Sequence, residues 1–167
     1  MRLPTQLFAG ERPDPDRLDP VENDDRFWKP RGGLWTSTYT PGGEHLSSWV
    51  EWTVGEDFKV ADEFWLLEPL DSRVGVVRDQ ADLRELADEY AVHDHRLADL
   101  PIFARSILDY ERLAADFDAL WIPAPWGHRF GDDPGLGIWF STMDSECVLW
   151  FRWRFERAPL RLEAVAR

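Results

Sequence analysis

The stretch Lys29-Pro30-Arg31-Gly32-Gly33-Leu34-Trp35-Thr36-Ser37-Thr38 decides how this chain is interpreted. It places two cations before two glycines, and a tryptophan and three hydroxyls after them. Glycines let the backbone approach a ligand closely, and the apolar, β-branched run that follows favours a strand. The segment Ser47-Ser48-Trp49-Val50-Glu51-Trp52 follows soon after and adds two more aromatic rings. These features predict a strand beside a site for a small aromatic molecule that carries phosphate.

Size and charge bound the class of protein. The 167 residues are 44% hydrophobic, which predicts a single domain over residues 1–167 with a sizeable core. The 32 Asp and Glu against 19 Lys and Arg give a formal net charge of -13, which repels the phosphates of nucleic acids. Direct binding of nucleic acid is therefore not expected. Two explanations of the acidity stay open: the charge keeps the protein soluble, or the protein mimics nucleic acid and binds a basic partner.

The cysteine and apolar content predict where the protein works. A single cysteine, Cys147, cannot form an intramolecular disulfide, which is typical of a reducing compartment. Residues 1–10 lack an apolar signal core, and no apolar run reaches the roughly 20 residues of a membrane span. We therefore expect a cytoplasmic protein without a membrane association. The two imidazoles of His93-Asp94-His95, with Asp99 as a nearby carboxylate, have a spacing that is common in polar loops, so no metal site is predicted.

Apolar periodicity predicts a mixed, strand-rich α+β fold. An irregular loop rich in Pro and Asp is expected at 11–31, and the tail 161–167 need not be ordered. Ten tryptophans exceed ordinary usage, and Trp65, Trp121 and Trp150 lie in strand-like runs where burial is expected. Strands are predicted at 6–9, 34–39, 63–70, 73–78, 119–123 and 147–156, and helices after Ser47, at 79–90 and at 109–117.

The order of these motifs resembles the ADP-ribosyltransferase superfamily, which includes bacterial toxins and poly(ADP-ribose) polymerases. Gly33-Leu34-Trp35 matches the glycine-led strand of the polymerase-like branch, Trp49 or Trp52 the aromatic on the next helix, and Glu146 the glutamate heading a late strand. Thr36-Ser37-Thr38 is similar to the Ser-Thr-Ser run of the toxin-like branch. The resemblance implies a split antiparallel β-sheet core with a few helices. It also implies NAD as substrate and transfer of ADP-ribose, in a toxin or a factor of phage and host conflict.

The resemblance implies a role for each site residue. Glu146 would be catalytic, because a carboxylate stabilises the oxocarbenium ion that develops as nicotinamide leaves the ribose. Trp35 and either Trp49 or Trp52 would stack on nicotinamide. Thr36 or Ser37 would hydrogen-bond the amide or the carboxylate, and Lys29, Arg31 and the Gly32 and Gly33 amides would face the pyrophosphate. The same residues also fit plain structural roles as core tryptophans, solvated cations and a strand-edge acid. Cys147 is expected to be buried, on the face opposite Glu146.

One departure from the family keeps a second interpretation open. The family holds NAD with an Arg or His on its first strand, and Gln6–Gly10 contains neither. Arg2, Arg12, Lys29 or Arg31 would have to replace it. The alternative is a non-enzymatic acidic binding protein, either a nucleic-acid mimic or a degenerate transferase fold. For the enzyme, the acidic surface favours a protein acceptor over a nucleic acid, and a monomer or weak oligomer is expected.

Overall fold

The computed structural model describes residues 1–24, 29–93, 106–125, 143–156 and 158–162. These residues form a mixed α+β structure with three α-helices, and a short 3-10 turn at Pro15–Arg17 lies in the predicted irregular loop. The helices are α1 (Ser48–Gly55), α2 (Gln80–Tyr90) and α3 (Tyr110–Asp116). The strands are β1 (Gln6–Ala9), β2 (Leu34–Thr38), β3 (Phe64–Leu67), β4 (Val74–Val76), β5 (Ala91–His93), β6 (Ser106–Leu108), β7 (Ala119–Ile122), β8 (Cys147–Trp150) and β9 (Leu160–Arg161).

Seven of the strands form one mixed sheet in the order β4-β7-β8-β2-β1-β3-β9, while β5 and β6 pair separately. Neighbours in the large sheet are antiparallel except β4 and β7, which run parallel. The expectation of an antiparallel core is therefore wrong for this edge. The segment from α2 to α3 connects β4 to β7, and a connection of this length is what a parallel pair requires.

Strands β1 and β2 pair over only part of their length. The register joins Gln6 to Thr38 and Leu7 to Ser37 and then stops. Beyond that point β1 pairs only with β3, and the Leu34–Thr36 part of β2 pairs with β8. The two strands therefore diverge inside the sheet, and this divergence positions the cavity described below.

Each of the three helices begins directly after the residue at which the sequence predicts its start, and that residue caps the helix. The Ser47 hydroxyl accepts from the Val50 amide at 3.3 Å. Asp79 accepts from two amides at the start of α2, and Asp109 accepts from the Arg112 amide at 3.1 Å. Because a capping side chain replaces hydrogen bonds that the first turn lacks, these residues set the helix starts.

Strand β8 separates two apolar clusters, as side-chain alternation requires. Cys147 and Leu149 face the cluster that includes α2 and α3, whereas Val148 and Trp150 face the cluster of Leu67 and Phe155. The indole N–H groups of the three expected core tryptophans all have acceptors: Trp65 donates to Gly10 O, Trp121 to Glu146 Oε1 and Trp150 to Thr36 Oγ1. Burial is confirmed for Trp65 and Trp150, and Trp121 is half-buried.

The last long strand is shorter than predicted, since β8 ends at Trp150 rather than at residue 156. After Trp150 the Phe151 amide turns to Asp118 O, and the guanidinium groups of Arg152 and Arg154 approach the Asp118 carboxylate. Phe155 makes only an isolated bridge to Pro69. The alternation of aromatic and basic residues in this segment thus reflects packing around one buried carboxylate.

Gly33 is required by packing, and its replacement tests this directly. Its φ is +66°, and a Cβ there would lie 2.6 Å from Leu149 Cδ1 and 2.9 Å from Trp150 O. We expect Gly33→Ala to lower the free energy of unfolding by about 2 kcal/mol, measured by urea denaturation. Gly42→Ala is the matched control, because φ is +71° at Gly42 but a Cβ added there meets no described atom within 4 Å. Only the backbone cost of about 1 kcal/mol therefore applies. Equal losses in the two variants would contradict the packing role.

Candidate functional site

A cavity of about 350 Å³ opens where β1 and β2 diverge. Both strands contribute to its wall, α1 contributes two indole rings, and the segment that enters β8 contributes a further side. The described lining residues are Leu7, Phe8, Ala9, Lys29, Trp35, Thr36, Ser37, Trp49, Trp52, Met143, Asp144, Ser145 and Cys147. Six residues predicted as cofactor-binding are brought together here: Lys29, Trp35, Thr36, Ser37, Trp49 and Trp52.

The cavity tryptophans differ from the core tryptophans in how their indole N–H groups are used. Trp35, Trp49 and Trp52 are half-buried, and their N–H groups have no acceptor in the part of the chain that the structure describes. Buried indoles ordinarily find a partner, as the three core tryptophans do. Trp49 and Trp52 both line the cavity because their i, i+3 spacing places them on one face of α1. The arrangement leaves aromatic faces and donors open to a ligand.

One cation lies among the described lining residues. Lys29 Nζ sits 5.7 Å from the centroid of the Trp35 ring, within the range of a cation–π contact. The contact holds the ammonium group at the wall formed by β2. An anionic group of a ligand could therefore pair with Lys29 while its ring system contacts the neighbouring indoles.

The two candidate hydroxyls of β2 have different roles. The Thr36 hydroxyl donates to Gln6 Oε1 at 2.7 Å and accepts from Trp150 Nε1 at 2.9 Å. Ser37 is a buried residue that lines the cavity, and its hydroxyl has no hydrogen-bond partner among the described residues. Because alternation turns Ser37 to the face of Trp35, it is the hydroxyl of the pair that remains for a ligand.

Glu146, the predicted catalytic residue, is not among the described residues that line the cavity. Its Oε2 accepts from the Thr38 amide at 2.8 Å, and its Oε1 accepts from Thr38 Oγ1 at 2.9 Å and Trp121 Nε1 at 2.9 Å. The residue is 8% exposed. Alternation along the strand places its side chain on the face opposite Cys147. The carboxylate thus joins the ends of β2, β7 and β8.

Arg31 and Gly33, also predicted to bind the cofactor, lie outside this lining. Arg31 is exposed, and its guanidinium pairs with Glu22 at 3.6 Å and Asp24 at 3.2 Å. The Gly33 amide donates to Asp19 O at 2.9 Å, and its Cα faces the protein interior. Arg31 thus pairs with residues of the preceding loop, and Gly33 allows the backbone before β2 to approach β8 closely.

Sequence reasoning missed the acidic and hydroxyl residues directly before Glu146. Asp144 is exposed, Ser145 is buried, and both line the cavity. Their proximity to Glu146 in the sequence was the available signal, because the segment entering β8 must pass the end of β2. Phe8 and Met143, two apolar lining residues, carried no chemical signal of their own.

Cys147 lines the cavity as a protonated thiol. Burial, assisted by the nearby Glu146 carboxylate and opposed by Lys29, raises the pKa of this thiol from 9.0 to about 12. We expect iodoacetamide to alkylate the folded protein at pH 9 about 100-fold more slowly than the urea-unfolded chain. The raised pKa stabilises the folded state fully below pH 9, and this contribution is lost as the pH rises toward 12. Similar alkylation rates for folded and unfolded protein would contradict this account.

The described ranges contain neither a cluster of metal ligands nor a membrane-spanning helix. No group of three or more His, Cys, Asp and Glu residues there could hold a metal ion. Asp94, His95 and Asp99 lie outside those ranges. None of the helices described is both long enough and apolar enough to cross a bilayer.

The described cavity combines four chemical functions. Three indole faces suit a flat ring, Lys29 suits an anion, the Ser37 hydroxyl can donate or accept a hydrogen bond, and Asp144 supplies a carboxylate. A ligand with an aromatic cation at one end and phosphate at the other complements this set.

Comparisons with protein-family models, with curated proteins and with solved structures found no match to this chain.

Proposed function

We propose that this protein binds NAD in the cavity between β1 and β2 and transfers ADP-ribose to an acceptor. The observation that carries the proposal is the convergence of six sequence-predicted residues on one cavity. They come from the loop before β2, from β2 itself and from α1, and their separate structural roles would not require them to meet. The volume of about 350 Å³ lies within the range of about 300–1,000 Å³ for small-molecule sites.

The ligand's chemistry matches the described lining. The pyridinium ring of NAD is flat and cationic, so it gains both stacking and cation–π energy against Trp35, Trp49 or Trp52. Ser37 can hydrogen-bond the carboxamide, and Lys29 can pair with the pyrophosphate. We place nicotinamide and its ribose in the cavity. In this placement the adenosine half of NAD extends beyond it.

The divergence of β1 and β2 supports an ADP-ribosyltransferase-like split sheet. In this proposal Lys29 replaces the Arg or His that the family carries on its first strand and that this chain lacks. Of the four candidate replacements, Arg2 pairs with Glu156 at 2.9 Å, Arg12 lies over Trp65, and Arg31 pairs with two carboxylates. Lys29 is the candidate among them that lines the cavity.

Binding of NAD is tested first by titration calorimetry and by quenching of tryptophan fluorescence. We expect Trp35→Ala and Trp49→Ala each to weaken NAD binding about tenfold, because each removes a stacking and cation–π partner of about 1–2 kcal/mol. Trp153→Ala is the matched control, since Trp153 is half-buried, packs on Phe155 and does not line this cavity. No heat and no quenching at millimolar NAD would contradict the proposal.

A second candidate function rests on the net charge of -13. An acidic binding protein would capture a basic partner such as poly-L-lysine, and the affinity would fall steeply with salt. A degenerate transferase would instead bind NAD without releasing nicotinamide. Measurement of NAD binding, nicotinamide release and salt-dependent polylysine binding on one preparation therefore separates the enzyme from both alternatives.

For the enzyme, a protein acceptor is the proposed partner, because the acidic surface repels nucleic acid. A toxin or a factor of phage and host conflict is the proposed setting, as the family resemblance implies. Incubation with labelled NAD and a cell extract would show labelled protein bands if a protein is the acceptor. Label that disappears on nuclease digestion would overturn this choice of acceptor.

A further inference from the structure

The proposed reaction needs a carboxylate that faces the ribose, and the geometry of Glu146 does not supply it. Among the described residues that carboxylate accepts three hydrogen bonds, two from Thr38 and one from Trp121. The group is buried on the face opposite Cys147, outside the described cavity lining. Turning it toward a ligand would leave three donors without an acceptor, which is costly in a buried site.

A different carboxylate is open to the cavity. Asp144 lines it, is exposed, and has no hydrogen bond or ion pair within the part of the chain that the structure describes. Its neighbours on the wall are Met143 and Ser145, and Lys29 and the indole rings line the same space. A carboxylate with no partner among the described residues and a set of aromatic faces in one cavity suit a cationic group that develops on a ring-bearing ligand.

We propose that Asp144, rather than Glu146, is the catalytic carboxylate of this cavity, an inference that rests on the proposed NAD-cleaving function. As the bond between ribose C1′ and the nicotinamide nitrogen breaks, both bonding electrons leave with nicotinamide and neutralise its ring. The Asp144 carboxylate stabilises the resulting oxocarbenium ion. The oxygen of water, or of an acceptor hydroxyl, then bonds to C1′, and Asp144 accepts the proton that this oxygen releases.

Glu146 acquires a structural role in this arrangement. Its carboxylate accepts hydrogen bonds from the Thr38 amide and hydroxyl and from the Trp121 indole. These bonds link the start of β8 to β2 and β7. Asp144 stands two residues before Glu146, so the same hydrogen bonds place Asp144 at the cavity wall. Glu146 is therefore a positioning residue, and its replacement should alter folding stability before it alters chemistry.

The experiment compares Asp144→Asn with the parent protein by nicotinamide release from NAD in water and by the dissociation constant for NAD. We expect Asp144→Asn to slow release about 100-fold or more while the dissociation constant changes less than about threefold, since the lost interaction forms in the transition state. Asp71→Asn, at another exposed aspartate outside the cavity, is the matched control and should release nicotinamide at the parent rate. Because Asp144 is exposed and has no ion pair or hydrogen bond in the described ranges, its variant should unfold at the parent's midpoint.

The outcomes distinguish the two proposals. A parent protein that binds no NAD overturns both the proposed function and this inference. A parent that binds NAD and releases nicotinamide, with Asp144→Asn releasing it equally fast, overturns the inference alone. If Asp144→Asn keeps the parent rate and a folded Glu146→Gln variant binds NAD but releases no nicotinamide, the catalytic role belongs to Glu146 and the inference is overturned.

Discussion

Glu146→Ala is expected to lower the free energy of unfolding by about 4 kcal/mol, since three donors lose their acceptor at about 1–3 kcal/mol each. The donors are the Thr38 amide, the Thr38 hydroxyl and the Trp121 indole N–H. Glu146 is 8% exposed, so water has little access to replace the lost carboxylate. A loss of this size is a large fraction of the roughly 5–15 kcal/mol that stabilises a typical domain. The denaturation midpoint in urea measures it.

Glu146→Gln separates the loss of charge from the loss of side-chain volume. Its amide keeps one acceptor oxygen but places an N–H₂ group toward at least one of the three donors. We therefore expect an intermediate loss of about 2 kcal/mol. Glu63→Gln is the control, because Glu63 forms an exposed ion pair with Arg161 at 2.6 Å, and such pairs contribute about 0–1 kcal/mol.

The opposite result would have a definite meaning. A carboxylate that is positioned for catalysis often destabilises the folded protein, so its replacement is often neutral or stabilising. If Glu146→Gln unfolds at the same midpoint as the parent or higher, the three hydrogen bonds do not stabilise the fold. The assignment of Glu146 as a structural fastener would then be wrong.

The secondary structure could be predicted where local rules decide it. Gln6–Ala9 was predicted as a strand to the residue, and Ser47, Asp79 and Asp109 each begin the helix expected of them. Capping depends on a side chain and amides two or three residues away, so the sequence contains the whole interaction. The end of β8 at Trp150 could not be predicted, because Asp118 draws Arg152 and Arg154 away from a ladder and lies more than 30 residues earlier.

The same distinction explains the candidate site. Trp49 and Trp52 were placed together by helical spacing, and Trp35 and Ser37 by strand alternation. The orientation of Glu146 depends on Thr38 and Trp121, which lie 108 and 25 residues away along the chain. No local pattern contains that information. Gly33 looked like a ligand-binding glycine for the same reason, since its neighbour Leu149 belongs to a strand far along the sequence.

A second buried carboxylate, Asp118, organises the opposite end of β7 and β8. Its Oδ2 accepts from the Arg73 amide at 2.8 Å, and the guanidinium groups of Arg73, Arg152 and Arg154 lie at 3.9, 3.5 and 3.7 Å. The Asp118 side chain is 8% exposed. Arg154 Nε is buried without a hydrogen bond that meets ordinary geometry. Removing the carboxylate therefore leaves a partly buried amide, a buried guanidinium nitrogen and several like charges without compensation.

Asp118→Ala is expected to lower the free energy of unfolding by about 3 kcal/mol, at the lower end of the cost of breaking a buried ion pair because the three arginines are partly exposed. Asp118→Asn keeps an acceptor for the Arg73 amide and should lose about 2 kcal/mol.

Asp82 is the matched control. It also accepts a hydrogen bond from an arginine amide, that of Arg78 at 2.8 Å, and it pairs with the Arg78 guanidinium at 3.8 Å. Its side chain, however, is 23% exposed. Asp82→Ala should therefore cost about 1 kcal/mol or less. Urea denaturation at low and high salt measures all three variants. Equal losses at Asp118 and Asp82 would show that burial of the Asp118 carboxylate adds nothing to stability.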